Sequence, residues 1–234
     1  MISGGIYHEF EASSALLARE FGKLGFETAV FDEPEAAIAA LAESPRCDLL
    51  TINALRFTMR QHEKYAPLRE QWAFDLSASG RAALAGYVRS GGALLGLHTA
   101  SICFDGWAEW AKILGASWTW SQSYHAPAGE VEVECLESVD PITSGIPHFR
   151  VFDEVYRNLE ISSDCRPLLH ARMRGEPEYQ PILWSHRYGA GRVVYDALGH
   201  GPESIGDETH LEILCRAARW LTGVPQVNIG AAHA

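Results

Sequence analysis

The chain has 234 residues, which is enough for one α/β domain with a sizeable core, and its 47% hydrophobic and 21% charged residues are typical of a globular protein. Its formal net charge of −11 argues against binding to nucleic acid or to an anionic membrane surface, because both require clustered lysine and arginine. No apolar run approaches the roughly 20 residues that a membrane-spanning helix needs.

The start of the chain and the cysteines predict a cytoplasmic protein. Residues 1–5 lack the basic and apolar regions of a secretory signal. The five cysteines are scattered, odd in number and without a C-x-x-C pair, so we expect reduced thiols. Cys103 is best interpreted as a helix residue that faces the core.

In chain order, the first half alternates between short apolar strands and amphipathic helices. After a short strand over 1–3, the periodicity predicts helices over 11–24, 34–42 and 77–90 and strands over 27–31, 48–52 and 93–95. Residues 53–76 break this rhythm with a polar and aromatic stretch, which fits a lid, an oligomer contact or a decorated loop.

The second half is richer in strands. A helix is predicted over 102–114, followed by strands over 131–135, 149–156, 168–173, 181–186 and 192–197 and a last helix over 208–221. Residues 188–191 fit a hairpin turn between the last two strands. The whole pattern predicts a single α/β domain with a largely parallel sheet.

The segment over 90–100 carries the strongest functional signal. Its glycine-bounded apolar run is typical of a buried strand, and the chain then turns at His98. Such a turn presents one side chain at the carboxyl edge of the sheet, where open α/β sheets bind ligands. An imidazole there can act as a general base, a hydrogen-bond donor or a metal ligand. A structural histidine that only holds the turn is the alternative.

Other polar residues are predicted at the same edge. His200 follows the last buried strand between two glycines, and Glu203 is close enough in sequence to orient it. His8 follows the first strand, and His125 lies in an aromatic loop. The residues predicted to be catalytic are His98, His200 and Glu154.

Several imidazoles and a carboxylate from separate loops suit Zn²⁺ or a similar divalent ion. The predicted metal ligands are His98, His125 and His200. Six aromatic residues can offer flat faces to sugar rings: Tyr7, Trp107, Trp118, Trp120, Tyr124 and Trp184. The residues predicted to bind substrate are His8, Tyr7, Thr99, Trp107, Tyr124 and Asp153. The remaining histidines are interpreted as surface or structural residues: His62, His148, His170, His186, His210 and His233. No Walker A or G-x-G-x-x-G motif follows the first strand, so no nucleotide cofactor is expected.

The ordered set of motifs resembles the ThuA-like (trehalose utilisation) family over nearly the whole chain. The motifs that carry the resemblance are residues 91–100 with Phe104 and Trp107, 114–115, 140–146, 153–156, 181–184, 188–193 and 198–201. The chain departs from the family at Asp140, where many relatives have histidine, and in its short first strand.

The resemblance implies a flavodoxin-like three-layer α/β/α sandwich of the class I glutamine amidotransferase-like kind, with one domain over 1–223 and a tail over 224–234. It also implies a role in the catabolism of trehalose or of oxidised keto-disaccharides. True amidotransferases carry a catalytic cysteine at the turn, and His98 stands there instead, so glutaminase chemistry is not expected. His200 and Glu203 fall where the amidotransferase histidine and glutamate would be.

These observations predict a cytoplasmic enzyme of carbohydrate metabolism, of the isomerase, epimerase, lyase or hydrolase type. Its predicted partner is a small-molecule sugar. The sequence leaves open whether the chain forms a homo-oligomer. One alternative is a non-catalytic sugar-binding or scaffold protein whose histidines point apart. Another is a hydrolase that uses Thr99 or Ser101 as the nucleophile and His200 as the base.

Overall fold

The computed structural model describes residues 1–42, 47–136 and 139–225. The strands are β1 Ile2–Gly4, β2 Leu49–Ala54, β3 Ala93–Leu97, β4 Ala116–Ser117, β5 Gly129–Cys135, β6 Phe149–Asp153, β7 Glu160–Ile161, β8 Arg166–Met173, β9 Gln180–Tyr188 and β10 Gly191–Asp196. The α-helices are α1 Phe10–Lys23, α2 Pro34–Ala40, α3 Arg69–Trp72, α4 Ala78–Arg89, α5 Ala108–Leu114, α6 Pro202–Ile205 and α7 Glu208–Thr222. Two 3₁₀ helices span Glu63–Leu68 and His98–Ser101. From residue 226 onwards, the predicted tail lies outside the described residues.

Eight strands form one mixed sheet in the order β1-β2-β3-β10-β9-β8-β5-β6. The pairs from β1 to β10 are parallel, and the pairs from β10 to β6 are antiparallel. The predicted α/β class is therefore confirmed, with parallel strands at one end of the sheet. The predicted hairpin is also confirmed, because Tyr188 pairs with Gly191 across a two-residue turn.

Capping residues explain where the helices begin and end. Ser77 accepts a hydrogen bond from the Gly80 N–H at the start of α4, and Asp207 accepts two at the start of α7. Helices α5 and α7 end at Gly115 and Gly223, whose φ angles of 82° and 75° are left-handed.

Two predicted elements are wrong for identifiable reasons. Residues 27–31 form no strand: Phe31 makes a single parallel bridge with Ile2, because β1 offers only three residues for pairing. The helix predicted from residue 102 begins only at Ala108. Phe104 has a φ of +54°, and this left-handed conformation interrupts the helix.

The core lies around β3, all of whose residues are buried. Leu94 and Leu95 are fully buried, and each contributes about 1.5–3 kcal/mol by leaving water. Helix α7 contacts β3 and β10, and α4 and α5 also contact β10. No helix in the described ranges is long and apolar enough to cross a membrane.

The direction of the strands decides where the polar loops meet. Strands β1, β3 and β10 run parallel, so their carboxyl ends share one edge of the sheet. Between β10 and β6 the strand direction reverses four times, so β6 runs parallel to β10. The carboxyl end of β6 therefore lies at the same edge. His8, His98, His200 and Glu154 follow these four strands.

Gly5 holds the loop that carries His8. Its φ is +140°, and an added Cβ would lie 2.5 Å from the Leu55 carbonyl oxygen. We expect Gly5→Ala to lower the free energy of unfolding by more than Gly25→Ala does. Gly25 also has a left-handed φ, but nothing lies within 4 Å of the position that an added Cβ would take. The Gly25→Ala variant therefore measures only the conformational strain of about 1–2 kcal/mol, without a steric clash. Urea denaturation of both variants measures the difference, and equal losses would contradict the steric argument.

Candidate functional site

Glu154 is the centre of the site, and its carboxylate is 8% exposed. Its Oε2 atom lies 3.5 Å from His98 Nε2 and 3.4 Å from His200 Nδ1. Its Oε1 atom lies 3.2 Å from His125 Nδ1. One buried carboxylate therefore faces three imidazoles that come from three separate loops.

His8 completes the group from the opposite side. Its ring centroid lies 5.1 Å from that of His98 and 4.7 Å from that of His200, edge to face in both cases. One ligand atom from each of His8, His98, Glu154 and His200 lies within 4.8 Å of the other three. We call these four residues the histidine cluster.

Backbone carbonyls fix the orientation of two of these rings. His98 Nδ1 lies 2.7 Å from the Ala197 oxygen, and His8 Nδ1 lies 3.1 Å from the Ile6 oxygen. A carbonyl only accepts, so both Nδ1 atoms carry the proton and both Nε2 lone pairs face the cluster. His8 Nε2 is buried without a hydrogen-bond partner among the described residues, and the buried His200 Nδ1 faces Glu154 Oε2 at 3.4 Å.

Tyr156 also belongs to the site, although it was not among the residues predicted from the sequence. Its buried hydroxyl donates to His98 Nε2 at 2.9 Å, and the two rings lie 4.4 Å apart. Burial raises the pKa of Tyr156 well above 10, so it stays a neutral donor. The available signals were its place two positions after Glu154 and its membership of the motif over 153–156.

Strained backbone occurs at this edge of the sheet. His98 and Tyr7 have φ angles of +40° and +69°, which non-glycine residues seldom adopt. His98 keeps this conformation because its ring is anchored on Ala197 and its carbonyl accepts a hydrogen bond from Tyr195 at 2.6 Å. The turn predicted at His98 is confirmed, and its side chain is 1% exposed.

Asp153 connects the loops of the site from inside the protein. Its carboxylate is fully buried and accepts from the backbone N–H groups of Glu154, Gly199 and His200 at 2.6, 2.7 and 3.3 Å. The Ser204 hydroxyl also donates to it. These bonds use its oxygen atoms within the fold, so we assign Asp153 a positioning role instead of the predicted contact with substrate.

The charges in the cluster are unequal. Burial and the neighbouring His98 lower the pKa of His8 to about 3, so its imidazole is neutral. Burial acts to raise the pKa of Glu154, but its contacts with His125, His200 and His98 outweigh burial and hold that pKa well below its usual range. In return, Glu154 raises the pKa values of His125 and His200.

Other predicted residues lie in different settings. The Thr99 hydroxyl donates to the Ala54 carbonyl at 2.6 Å. Tyr7 and Tyr124 are largely exposed, and Trp107 is half-buried against the core. Trp184 is fully buried and stacked on a core tyrosine, so the interpretation of Trp184 as a sugar platform is wrong.

Two cavities reach the site from different sides. A cavity of about 860 Å³ is lined by His8, and one of about 270 Å³ is lined by His125. Both volumes are compatible with a small-molecule ligand. Glu203 is exposed, and the partner of His200 is Glu154 instead.

Fold and site together define an α/β protein with a buried polar cluster at the carboxyl edge of its parallel strands. The model of the ThuA family, described as trehalose utilisation, matches residues 25–221. The chain therefore belongs to the ThuA family, as its motifs predicted. No curated protein matches it in sequence.

Solved structures share this fold over most of their length. A protein described as ThuA-like from Parabacteroides merdae ATCC 43184 is 18% identical, with a TM-score of 0.76 over 98% of this chain and 91% of that one. A second, from Bacteroides uniformis ATCC 8492, is 20% identical, with a TM-score of 0.67 over 94% and 89%. A cytoplasmic protein from Salmonella typhimurium LT2 is 15% identical, with a TM-score of 0.58 over 89% and 86%. At these identities the likeness shows the fold alone.

Proposed function

We propose that this chain is an enzyme of carbohydrate catabolism that acts on trehalose or on an oxidised keto-disaccharide through the histidine cluster. The description of its family supports the substrate class. The observation that carries the proposal is the convergence of His8, His98 and His200 on Glu154, with His8 Nε2 buried and without a hydrogen-bond partner among the described residues. Such an unpaired buried polar atom costs about 1–3 kcal/mol and has no use in a scaffold protein. The free cysteines and the cytoplasmic neighbour support a cytoplasmic location.

The donor atoms of the cluster fit a divalent metal ion such as Zn²⁺. Zinc bonds of about 2.0–2.2 Å put neighbouring ligand atoms about 3.3–3.6 Å apart in a tetrahedron. Glu154 Oε2 already has this separation from His98 and His200, at 3.5 and 3.4 Å. Of the predicted ligands, His98 and His200 keep that role, and His8 replaces His125 in it. When bound, the ion would polarise a carbonyl oxygen of the substrate.

Side chains of the site can supply proton transfer and charge stabilisation. His125 is not one of the four proposed ligands and its side chain is 41% exposed, so it is the imidazole best placed to take the acidic proton beside the carbonyl of a keto-sugar. Glu154 is too weak a base for that step, but its Oε1 atom lies 3.2 Å from His125 Nδ1, and its negative charge stabilises the imidazolium that His125 becomes. With His98 Nε2 engaged as a ligand, the neutral Tyr156 hydroxyl that otherwise donates to that nitrogen is free to donate to a developing oxyanion.

The hydrolase alternative has less support. The Thr99 hydroxyl donates to the Ala54 carbonyl, and the Ser101 hydroxyl accepts from Tyr195 at 2.9 Å. Both side chains are buried. A nucleophile in either position would have to leave these bonds to reach His200.

Metal titration tests the proposal. After chelation and dialysis, the wild-type protein should bind one equivalent of Zn²⁺, and Zn²⁺ at 100 times its Kd should raise the Tm by about 5–10 °C through mass action. His8→Gln should weaken Zn²⁺ binding by about 100-fold or more because it removes a neutral, unpartnered donor.

The matched control is His148→Gln, which changes an exposed histidine at the opposite end of β6 from Glu154. It should bind Zn²⁺ as the wild type does. A wild-type protein that takes up no metal, or a His8→Gln variant with unchanged affinity, would overturn the metal site. Turnover of a keto-disaccharide by the wild type tests the reaction itself.

A further inference from the structure

We propose that the cavity of about 860 Å³ beside His8 is a binding subsite for uncharged sugar rings, and that its acidic lining excludes sugar phosphates and sugar acids. The inference rests on the proposed function, because it assigns a substrate class to the same site. It also gives a role to the segment over 53–76, which contributes Arg56, Gln71 and Trp72 to the wall.

The cavity and the histidine cluster share one residue, His8. Its ring lies 4.7 Å from that of His200 and 5.1 Å from that of His98. The volume lies within the range of about 300–1,000 Å³ that small-molecule sites have, and it can hold more than a single sugar ring. A disaccharide bound here can keep one ring in the cavity and present the other to the cluster.

The wall formed by the segment over 53–76 is held by its own small core. Phe57 stacks on Trp120 at 5.5 Å and meets Tyr65 edge to face at 5.1 Å, and Trp72 packs against the same apolar cluster. The Phe74 N–H also donates to the Phe57 carbonyl at 2.8 Å. The segment was predicted to be a lid, an oligomer contact or a decorated loop, and these contacts favour a fixed loop over a mobile lid.

Trp72 and Arg56 provide this wall with an aromatic ring face and a hydrogen-bond donor. The Arg56 guanidinium lies 5.4 Å from the centroid of the Trp72 ring and donates from Nη2 to the Asp32 carbonyl at 2.7 Å. Its Nε atom is buried and has no hydrogen-bond partner in the part of the chain that the structure describes. A sugar supplies both a hydroxyl oxygen that can accept from this Nε–H and an apolar ring face that can pack on an indole.

The charges of the lining decide which sugars are admitted. Four carboxylates line the cavity, from Glu9, Glu11, Asp32 and Glu33, against the single guanidinium of Arg56. Carboxylates accept hydrogen bonds from sugar hydroxyls, but they repel a phosphate or a second carboxylate.

Calorimetric titration with trehalose and with trehalose 6-phosphate tests the subsite on the whole chain. The wild type should bind trehalose at least about 10-fold more tightly than its phosphate. Trp72→Leu keeps an apolar side chain but removes the flat ring, and it should weaken trehalose binding by about 3–10-fold. Glu11→Gln/Glu33→Gln should bring the two affinities closer together. Glu33 is the N-cap residue of α2 but makes no side-chain cap hydrogen bond, and Glu11 is an exposed residue in the first turn of α1.

The matched control is Glu27→Gln/Glu70→Gln, which removes two exposed carboxylates that do not line the cavity and should leave the ratio unchanged. Zn²⁺ titration of every variant separates the two hypotheses, because the wall residues are not in the histidine cluster. Tighter binding of the phosphate, or an unchanged trehalose affinity in Trp72→Leu with Zn²⁺ binding intact, would overturn the subsite alone. A trehalose affinity that responds to Trp72→Leu, in a protein that binds no metal and turns over no keto-disaccharide, would support the subsite and overturn the proposed function.

Discussion

Glu154→Gln is expected to lower the turnover of a keto-disaccharide by about 10²–10⁴-fold while the protein stays folded. The amide keeps the size of the side chain but removes the charge that faces His98, His125 and His200 at 3.2–3.5 Å. Without that charge the imidazolium of His125 loses its counter-ion, so the pKa of His125 should fall. Steady-state kinetics measures the first effect, and NMR titration of the imidazole protons measures the second.

Glu203→Gln is the control for this experiment. Glu203 is also close to His200 in sequence, but its side chain is exposed. Its removal should change turnover by less than about 2-fold, as is usual for surface substitutions. Nearly wild-type turnover in Glu154→Gln, with the fold intact by circular dichroism, would contradict the role of the cluster in catalysis.

His210→Gln is expected to lower the free energy of unfolding by about 3–5 kcal/mol. His210 and Asp196 are both fully buried, and their Nε2 and Oδ2 atoms lie 3.1 Å apart. The other ring nitrogen lies 2.8 Å from the Ser204 carbonyl. Both nitrogens therefore face acceptors, which requires the charged imidazolium. The variant leaves the Asp196 carboxylate buried without its counter-ion.

The double variant Asp196→Asn/His210→Gln distinguishes the energy of the charge pair from the effect of changed packing. It removes both charges, so it should be more stable than His210→Gln alone. Urea denaturation of the wild type, both single variants and the double variant gives the coupling energy. A double variant less stable than the single one would show that packing, and not the unpaired charge, dominates the loss.

The same pair predicts how stability depends on pH. Burial alone would lower the pKa of His210, but the charge and the hydrogen bond of Asp196 outweigh burial and raise it. A raised pKa in the folded state stabilises the protein fully below the unfolded value of about 6.5, and this stabilisation is lost as the pH rises through the folded value. Between about pH 6 and pH 9, the wild type should therefore lose more stability than the double variant does. Parallel curves for the two proteins would contradict a charged His210.

The sequence pointed to His210 only as a surface or structural histidine, and the structure shows it to be structural. Its position in the amphipathic helix α7 was predictable, but its partner Asp196 lies on a strand. Spacing along a helix cannot reveal a partner on another element. Tyr156 was missed for the same reason, because its hydroxyl meets His98 across 58 residues of chain.

The strand predicted over 27–31 was wrong for a related reason. Residues 27–31 have the composition of a strand, but a strand also needs a neighbour of matching length, and β1 supplies only three residues. Asp140, a departure from the family pattern, caps a turn through a 2.8 Å hydrogen bond from the Ile142 N–H. Local chemistry of this kind can be read from a sequence because the partners are two residues apart.

The sequence by itself determined the α/β class, the buried strand before His98, the hairpin at the last two strands and the membership of the ThuA family. These features depend on periodicity, turn residues and ordered motifs, all of which are local. Only the tertiary structure decided that His8, His98, His200 and Glu154 meet, that Asp153 supports the loops from inside, and that the segment over 53–76 forms a wall of a cavity. These features depend on strand order and direction, which bring together residues that are far apart along the chain.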